Sequence, residues 1–425
     1  MAAEEIRPAD GPVSGTPRLP GSKSYTNRAL AVAALAEGKS TLRGAGFSDD
    51  TLLMAGGLRT LGFAVDADEA KRRMAVRGGA LAPGPKELDL ENAGTAMRFL
   101  TALVTLGEGH YRLDGTERMR ERPIADLASA LNDLGASVRC EGEAGCPPVV
   151  VDARGLAGGT CRLSGETSSQ FLSGLLMVSP YARGDTTIEI AGDLVSKPYV
   201  EMTLSVMEAF GVGVERESWE RFVVAAGQRY EGCRYIVEPD ASAATYFEAA
   251  AAITEGTVTI ENLGADSHQG DVHFADVLET MGCRVSRSPE SITVEGPAEL
   301  RGIEVDLNSM PDTVQTLAAI SVLAKGRTVI KNVANLRLKE TDRLKALAAE
   351  LARLGAKVEE HPDGLVIDPP EQVSPAEIQT YDDHRMAMAF AVVGLCVGGI
   401  RIADAECVSK SFPDFFEVLD SLRSV

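Results

Sequence analysis

A pattern of about 70 residues recurs six times along this chain of 425 residues. Each copy has a stretch of small apolar residues, then a glycine, then a run in which apolar and polar residues alternate. Repeats of this length are too long for propeller blades or common solenoid units. The six glycines lie 70 to 75 residues apart, at Gly38, Gly109, Gly184, Gly256, Gly326 and Gly399.

A second element follows each of these runs, an amphipathic helix that ends in glycine. A glycine directly after a helix adopts the left-handed conformation that satisfies the last carbonyl groups. The sixth copy, "FFEVLDSLRSV", reaches the end of the sequence before its glycine. Alternating helices and strands predict an α/β fold. The glycines of the other five copies are Gly62, Gly135, Gly211, Gly282 and Gly355.

Six such units predict two similar domains with three units each. The third unit ends near "VEPDASAATYF", and the incomplete sixth unit lacks a strand that the segment before Pro20 can supply. We therefore predict one domain over residues 20–238 and a second over residues 1–19 plus 239–425. The chain would cross between them near Pro20 and near Pro239, which predicts a hinge.

The charge of the chain restricts its partners. A formal net charge of −20 and a pI near 4.8 argue against nucleic acids and anionic membranes, because both attract basic surfaces. A small anion can still bind where cations are clustered. No apolar run is long enough to span a bilayer, the longest being "MAMAFAVVGLCV".

The N-terminus and the cysteines predict a cytoplasmic protein. The acidic start "MAAEEIRPAD" does not resemble a signal peptide. Seven scattered cysteines without a C-x-x-C pair indicate reduced thiols. His268 and His273 are five residues apart, which does not place two metal ligands on one helical face, so we predict no metal site.

The stretch "PGSKSYTNRAL" places Lys23 and Arg28 among hydroxyl side chains at a predicted helix start. Ser24 or Thr26 is the predicted helix cap. A helix start with these side chains is suited to phosphate. It is not a P-loop, because Ser22 and Pro17 stand where that motif needs glycine.

Similar polar clusters recur between the repeat elements of the first half. Gly94 allows close backbone approach, Thr95 is a candidate helix cap, and Pro123 leaves the arginines before it in a loop. Any one cluster could be ordinary surface, but several at similar points of successive repeats favour a site. Its further candidates are Arg98, Arg118, Arg120, Arg122, Thr167, Ser168, Ser169, Gln170, Ser196, Lys197 and Tyr199.

The second half combines carboxylates with cations. Near a phosphate, cations hold the anion while Asp or Glu transfers a proton. The alternative for "KETDRLK" is an ion-paired helix start, since Glu340 and Arg343 are three residues apart. The other candidates are Asp306, Asp312, Lys339, Asp342, Asp383, His384, Arg385 and Lys410.

Taken together, the motifs resemble the 5-enolpyruvylshikimate-3-phosphate (EPSP) synthase family of enolpyruvyl transferases over nearly the whole chain. The resemblance implies a two-domain inside-out α/β barrel with six βαβαββ units, three per domain, and an active site in the cleft between them. The motifs, in the family's order, are "PGSKSYTNRAL", "NAGTAMR", "ERPI", "SSQF", "SKPY", "PD", "NLRLKETDRL", "DHRMAMA" and "SKSFPDFF".

The resemblance also implies a reaction of the shikimate pathway to chorismate and the aromatic amino acids. The 5-hydroxyl of shikimate 3-phosphate attacks C2 of phosphoenolpyruvate, C3 takes a proton, and the tetrahedral intermediate expels phosphate. No metal or organic cofactor is implied. A cytoplasmic monomer, and inhibition by glyphosate, are further expectations.

The motif positions imply the roles of individual residues. Asp312 would transfer the proton of the 5-hydroxyl, Glu340 the proton at C3, and Lys23 would assist the departing phosphate. Shikimate 3-phosphate would be bound by Ser24, Arg28, Ser168, Ser169, Gln170, Ser196, Tyr199, Asp312, Asn335 and Lys339. Phosphoenolpyruvate would be bound by Lys23, Gly94, Arg122, Gln170, Arg343, Arg385 and Lys410.

The sequence departs from the family pattern at four positions. Glu91 replaces a usual glycine, Phe99 replaces a common proline, and Glu166 and Asp382 also differ. Because Gly94 keeps space beside the phosphoenolpyruvate site, we predict that glyphosate competes with that substrate, although Phe99 could tilt the same helix.

Three other functions remain alternatives. UDP-N-acetylglucosamine 1-carboxyvinyltransferase shares the fold and the reaction, but it typically carries a loop cysteine that "TERMRERPIADL" lacks. A P-loop kinase is disfavoured by the glycine spacing. A non-catalytic repeat scaffold would need the cations to be dispersed over its surface.

Overall fold

A computed structural model describes residues 3–423 of the chain. Strands and helices alternate along these residues, as an α/β fold requires. In chain order the strands are β1 (Glu4–Glu5), β2 (Ser14–Gly15), β3 (Lys39–Arg43), β4 (Ala64–Asp68), β5 (Arg73–Arg77), β6 (Lys86–Asp89), β7 (Glu108–Asp114), β8 (Val138–Cys140), β9 (Val149–Arg154), β10 (Gly159–Ser164), β11 (Thr186–Ala191), β12 (Glu215–Glu217), β13 (Arg221–Val224), β14 (Arg234–Ile236), β15 (Thr257–Glu261), β16 (Arg284–Arg287), β17 (Ser291–Glu295), β18 (Glu304–Asp306), β19 (Thr328–Lys331), β20 (Lys357–His361), β21 (Gly364–Asp368), β22 (Glu377–Ile378) and β23 (Arg401–Ile402).

Two kinds of helix lie between the strands. The α-helices of residues 3–423 are α1 (Lys23–Leu35), α2 (Asp49–Thr60), α3 (Gly94–Val104), α4 (Ala125–Asp133), α5 (Ser169–Val178), α6 (Lys197–Ala209), α7 (Ala241–Ile253), α8 (Phe274–Thr280), α9 (Val314–Ile320), α10 (Arg343–Arg353), α11 (His384–Val393) and α12 (Phe415–Ser421). The short 3-10 helices are Met119–Glu121, Glu143–Gly145, Ser179–Tyr181, Gly270–His273, Pro311–Thr313, Ser321–Leu323, Ala334–Leu338 and Ala405–Lys410.

The chain divides into two compact units. The continuous unit comprises Gly21–Glu238, and the split unit combines the segment up to Pro20 with the chain from Pro239 onward. Each unit has its own cluster of buried apolar side chains.

The continuous unit contains three four-stranded sheets with one shared arrangement. Their strand orders are β14-β3-β5-β4, β6-β7-β9-β8 and β10-β11-β13-β12. In each sheet the first pair is parallel and the other two pairs are antiparallel. Helix α3 is buried at every residue, and α1 and α5 are buried at nearly every one. The small apolar stretches of the sequence therefore form the interior helices, because a helix that is apolar on all sides must be buried.

The split unit repeats this arrangement in two of its sheets, β16-β17-β15-β2 and β18-β19-β21-β20, while its third sheet has the order β1-β23-β22. Strand β2 runs parallel to β15, with Ser14 opposite Thr257. Strand β1 runs antiparallel to β23, with Glu4 opposite Ile402. The first residues of the chain thus complete sheets whose other strands follow hundreds of residues later.

The helix ends agree with the sequence pattern better than the helix starts do. The predicted C-terminal glycines all have positive φ, between +87° and +112°, which confirms their left-handed conformation. The predicted cap of α1 was wrong. Ser22, not Ser24 or Thr26, precedes the helix and accepts a hydrogen bond from the Tyr25 amide at 3.4 Å. Helix α3 likewise begins at Gly94, ahead of the predicted cap Thr95.

Among residues 3–423, no helix is both long enough and apolar enough to cross a membrane.

Candidate active site

The start of α1 holds a lysine in a partly buried ion pair. Lys23 is the first residue of the helix, and its Nζ lies 3.1 Å from Oδ2 of Asp50. The Asp50 side chain is 3% exposed and belongs to the first turn of α2, where carboxylates are favourable. Ser24 follows Lys23 and is half-buried. The pair fixes the lysine at the helix end, where backbone amides also attract anions.

Arg28, one turn further along α1, is buried among neutral acceptors. Its Nε donates to Thr203 Oγ1 at 2.8 Å, Nη1 donates to the Ser24 carbonyl at 2.9 Å, and Nη2 donates to the Tyr199 carbonyl at 2.9 Å. Nη2 also lies 3.4 Å from Ser173 Oγ.

No carboxylate in the described part of the chain forms an ion pair with this guanidinium. Burial lowers the pKa of Arg28 to about 10, so its charge is maintained without a counter-charge at neutral pH. A buried cation with only neutral partners is stabilised by an incoming anion.

A second cation is held beside the start of α3. Arg122 is buried, and its Nη1 donates to the carbonyl and the side-chain oxygen of Asn92 at 2.9 and 3.0 Å. A Cβ atom built on Gly94 would lie 2.4 Å from Arg122 Nη2 and 2.9 Å from Arg98 Nη1. A side chain at position 94 would therefore displace these guanidinium groups from the helix start.

Predicted hydroxyl and amide residues lie at two further helix starts of the same unit. Ser168 caps α5, Ser169 is its first residue and is buried, and Gln170 Nε2 donates to Thr95 Oγ1 at 3.2 Å. Ser196 precedes α6 with a left-handed φ of +55° and is buried, and Tyr199 lies in the first turn of α6.

Hydrogen bonds join these helix starts to one another. The bond from Gln170 to Thr95 links α5 to α3, and Arg28 links α1 to both α5 and α6 through Ser173 and Tyr199. The continuous unit therefore brings together the starts of four helices with their cations and hydroxyl groups, an arrangement suited to a phosphorylated and hydroxylated ligand.

The split unit has a cluster of buried charges around Arg343. The guanidinium contacts three carboxylates: Nε lies 2.7 Å from Asp383 Oδ2, Nη1 lies 2.9 Å from Asp312 Oδ1, and Nη2 lies 2.9 Å from Glu340 Oε2. Burial opposes the charge of Arg343, but Asp383, Glu340 and Asp312 outweigh it and raise the pKa of Arg343 above its usual value. The arginine stays protonated and fixes the orientation of all three carboxylates.

Asp312 bridges two arginines. Its second oxygen, Oδ2, accepts a hydrogen bond from Arg385 Nη2 at 2.8 Å. Arg385 is buried, and its Nη1 lies 3.4 Å from the hydroxyl of Tyr246. Asp383 caps α11 by accepting from the Arg385 amide at 2.9 Å. Asp312 thus places a proton acceptor directly beside two cations that can hold an anion.

The remaining predicted residues lie on two 3-10 helices of the split unit or directly after one of them. Asn335 is buried in the helix Ala334–Leu338, and Lys339 directly precedes Glu340. Lys410 ends the helix Ala405–Lys410. Burial raises the pKa of Asp382, next to Asp383, while the charge of Lys410 opposes that rise.

Several partners were absent from the sequence predictions. The ion-paired helix start, considered as an alternative for "KETDRLK", does form, but Arg343 also holds Asp312 and Asp383 and so serves a larger cluster. The roles of Asp50, Asn92 and Tyr246 were not predicted. Only Asp50 had a usable signal, a carboxylate in the first turn of a predicted helix.

No group of three or more His, Cys, Asp and Glu side chains that could hold a metal ion occurs within residues 3–423.

Comparison with known proteins identifies the family. A family model for EPSP synthase (3-phosphoshikimate 1-carboxyvinyltransferase) matches residues 8–419. The chain is 50% identical to the chloroplastic 3-phosphoshikimate 1-carboxyvinyltransferase of Petunia hybrida, over 96% of this chain and 83% of that protein. It is 49% identical to the enzyme of the same name from Nostoc punctiforme, over 98% of each protein.

The fold agrees with these matches. A solved structure of EPSP synthase from Acinetobacter baumannii superimposes with a TM-score of 0.82 and 27% sequence identity, over 99% of this chain and 98% of the other. This likeness confirms the predicted α/β fold of enolpyruvyl transferases. The chain belongs to the EPSP synthase (3-phosphoshikimate 1-carboxyvinyltransferase) family.

Proposed function

We propose that this enzyme transfers the enolpyruvyl group of phosphoenolpyruvate to the 5-hydroxyl of shikimate 3-phosphate and releases phosphate. Its family and its relatives make it a 3-phosphoshikimate 1-carboxyvinyltransferase, a transferase of the shikimate pathway. The alternative acceptor, UDP-N-acetylglucosamine, is not favoured by these matches. The observation that carries the proposed chemistry is the Asp312 carboxylate held between Arg343 and Arg385.

In the proposed addition step, two proton transfers accompany the formation of one C–O bond. The 5-hydroxyl oxygen attacks C2 of phosphoenolpyruvate as Asp312 accepts its proton, and Glu340 donates a proton to C3. Arg343 touches both carboxylates, so it holds the two acid–base groups in a fixed relation. In the elimination step, Glu340 takes a proton from C3 and the C2–O bond to phosphate breaks.

The residues proposed to bind shikimate 3-phosphate lie mainly in the continuous unit. In the continuous unit, Arg28 with Ser168, Ser169 and Ser196 binds the shikimate phosphate. The positive charge of Arg28 is available to the phosphate because the hydrogen-bond partners of Arg28 are neutral. Ser24, Gln170 and Tyr199 contribute further polar contacts to the same ligand, as do Asn335 and Lys339 of the split unit.

A second set of cations would bind phosphoenolpyruvate. Lys23 and Arg122 approach it beside Gly94, while Gln170 contacts both substrates. Arg343, Arg385 and Lys410 neutralise its carboxylate and phosphate, and Lys23 stabilises the departing phosphate. Glyphosate, an anion that carries both a phosphonate and a carboxylate, would compete for these cations.

Phe99 is buried, with the Arg28 guanidinium 5.4 Å from the centre of its ring.

The test is a phosphate-release assay that requires both substrates. Asp312→Asn and Glu340→Gln should each lower turnover by about 10²- to 10⁴-fold, the usual contribution of an acid–base group. Glu304→Gln is the matched control and should leave turnover unchanged, because within residues 3–423 this exposed carboxylate of β18 forms an ion pair with Lys331 alone.

Each part of the proposal can fail separately. Near-native turnover in Asp312→Asn or Glu340→Gln would remove that residue from the mechanism. Phosphate release with UDP-N-acetylglucosamine, and none with shikimate 3-phosphate, would overturn the assignment of the acceptor.

A further inference from the structure

A buried carboxyl group without an assigned role lies next to the charge cluster of the split unit. Asp271 belongs to the 3-10 helix Gly270–His273 and is 3% exposed. Its Oδ2 accepts a short hydrogen bond from the hydroxyl of Ser242, and its Oδ1 has no hydrogen-bond partner among the described residues. A buried carboxyl group with an unpaired oxygen is costly to ionise, so the presence of Asp271 at this position needs a physical explanation.

The backbone around Asp271 is fixed to the start of α7. The side chain of Gln269 accepts from the Ala241 amide at 3.1 Å and donates to the Pro239 carbonyl at 2.8 Å. Ser242 is the second residue of α7 and is itself buried. The position of the Asp271 carboxyl is therefore set by the fold and not by an exposed loop.

Asp271 is connected to Arg385 across one turn of α7. Ser242 bonds Asp271, and Tyr246, four residues later on the same face of the helix, has its hydroxyl 3.4 Å from Arg385 Nη1. Burial and then the charge of Asp312 raise the pKa of Asp271 to about 7, although Arg385 opposes the rise. Asp240 adds a smaller repulsion. Glu248 on α7 interacts electrostatically with Asp271, with Asp276 on α8 and with Arg287 on β16. Of these groups, only Arg385 and Asp312 belong to the proposed reaction.

We propose that Asp271 is a positioning residue for phosphoenolpyruvate. When Asp271 is neutral, it does not reduce the attraction between Arg385 and the substrate anion. When Asp271 is ionised, its negative charge reduces that attraction. This inference rests on the proposed function of Arg385. It predicts that phosphoenolpyruvate binds more weakly as Asp271 ionises, because an added negative charge near Arg385 repels the substrate anion.

The experiment compares KM for phosphoenolpyruvate in the wild type and in Asp271→Asn between pH 6 and pH 9. The ratio of the two values at each pH cancels the titration of the substrate itself. The wild-type KM divided by the variant KM should be near one at pH 6 and rise to about three- to tenfold at pH 8.5, since one pKa unit of coupling corresponds to tenfold. A ratio that stays flat over this range overturns the proposal.

A second variant tests the sign of the effect. The hydrogen bond from Ser242 stabilises the ionised form of Asp271 and lowers its pKa. Ser242→Ala should therefore move the rise in KM to higher pH, and a shift to lower pH would contradict the proposal. This readout follows a pH midpoint, which a merely structural role of Asp271 would not move.

Glu248→Gln is the matched control. It removes another buried carboxyl, which lies on α7, the helix whose Ser242 bonds Asp271, but Arg385 is not among the groups that act on Glu248. Its KM profile should follow that of the wild type, and a flattened profile would count against the role of Asp271. Turnover of both substrates by the wild type tests the proposed function separately, so a flat ratio in an active enzyme refutes only this inference.

Discussion

Glu248→Gln should remove much of the loss of stability that we expect as the pH rises from 4.5 to 8. Glu248 lies on α7, is 1% exposed, and its Oε2 has no hydrogen-bond partner among the described residues. Burial raises its pKa from 4.5 to about 8, Arg287 opposes that rise, and Asp276 and Asp271 add to it. The folded protein therefore keeps this carboxyl protonated at a pH where the unfolded chain has released the proton.

The size and sign of the effect follow from this difference. Between pH 4.5 and pH 8 the folded state holds one more proton than the unfolded state. The free energy of unfolding thus falls by about 1.4 kcal/mol for each pH unit. Over the whole window the loss is at most about 5 kcal/mol. In a unit of roughly 200 residues each kcal/mol moves Tm by about 2–4 °C, so the total shift is about 10–20 °C.

The assay is the Tm of the wild type and of Glu248→Gln measured from pH 5 to pH 8.5. The two proteins should have similar Tm at pH 5, and the variant should be the more stable one at pH 8.5. Some slope should remain in the variant, because Asp271 also has a raised pKa, of about 7. Glu261→Gln, which alters an exposed carboxylate at the end of β15, should reproduce the wild-type curve. Parallel curves for the wild type and Glu248→Gln would refute the argument.

Three further substitutions test local geometry. Gly94→Ala should raise KM for phosphoenolpyruvate about tenfold or more, because the added Cβ would lie 2.4 Å from Arg122 Nη2 and displace it. An unchanged KM would show that the arginine has room to move. Glu91→Gly should raise the free energy of unfolding by about 0.5–1 kcal/mol, because Glu91 has a left-handed φ of +45°, and no gain in a thermal melt would mean that its neighbours offset the strain. Arg28→Lys should weaken the binding of shikimate 3-phosphate, measured by calorimetry, at least about tenfold, because lysine cannot replace the separate bonds to Thr203 and to the Tyr199 carbonyl. Unchanged affinity would remove Arg28 from the site.

Periodicity allowed the fold class to be predicted from the sequence. The apolar stretches are buried helices because small residues on every side leave no face for solvent, and the helix-ending glycines are left-handed because only glycine adopts that conformation at low cost. The start of α1 was harder to predict, since Ser22, Ser24 and Thr26 are all competent caps. A contact distant in sequence, from the Ser22 amide to the Glu238 carbonyl at 2.8 Å, fixes the backbone where the helix begins.

The cations of the candidate site could be predicted, but their partners could not. Asp312 lies 31 residues before Arg343 and 73 residues before Arg385 in the sequence, and no local pattern joins residues so far apart. The same holds for Lys23 and Asp50, which meet because α1 and α2 pack in the same unit. Pairing of this kind depends on the packing of helices, and periodicity describes only single helices.

The pairing of β1 and β2 has a consequence for the order in which the protein forms during synthesis. The continuous unit is complete once residue 238 has been made, whereas β1 must wait for β23, about 400 residues later. At 5–20 residues per second the ribosome needs about 20–80 s for that interval. During this time the leading segment has no partner strand, and it is available to chaperones or proteases. A circular permutant that places residues 239–425 ahead of residues 1–238 would remove the delay.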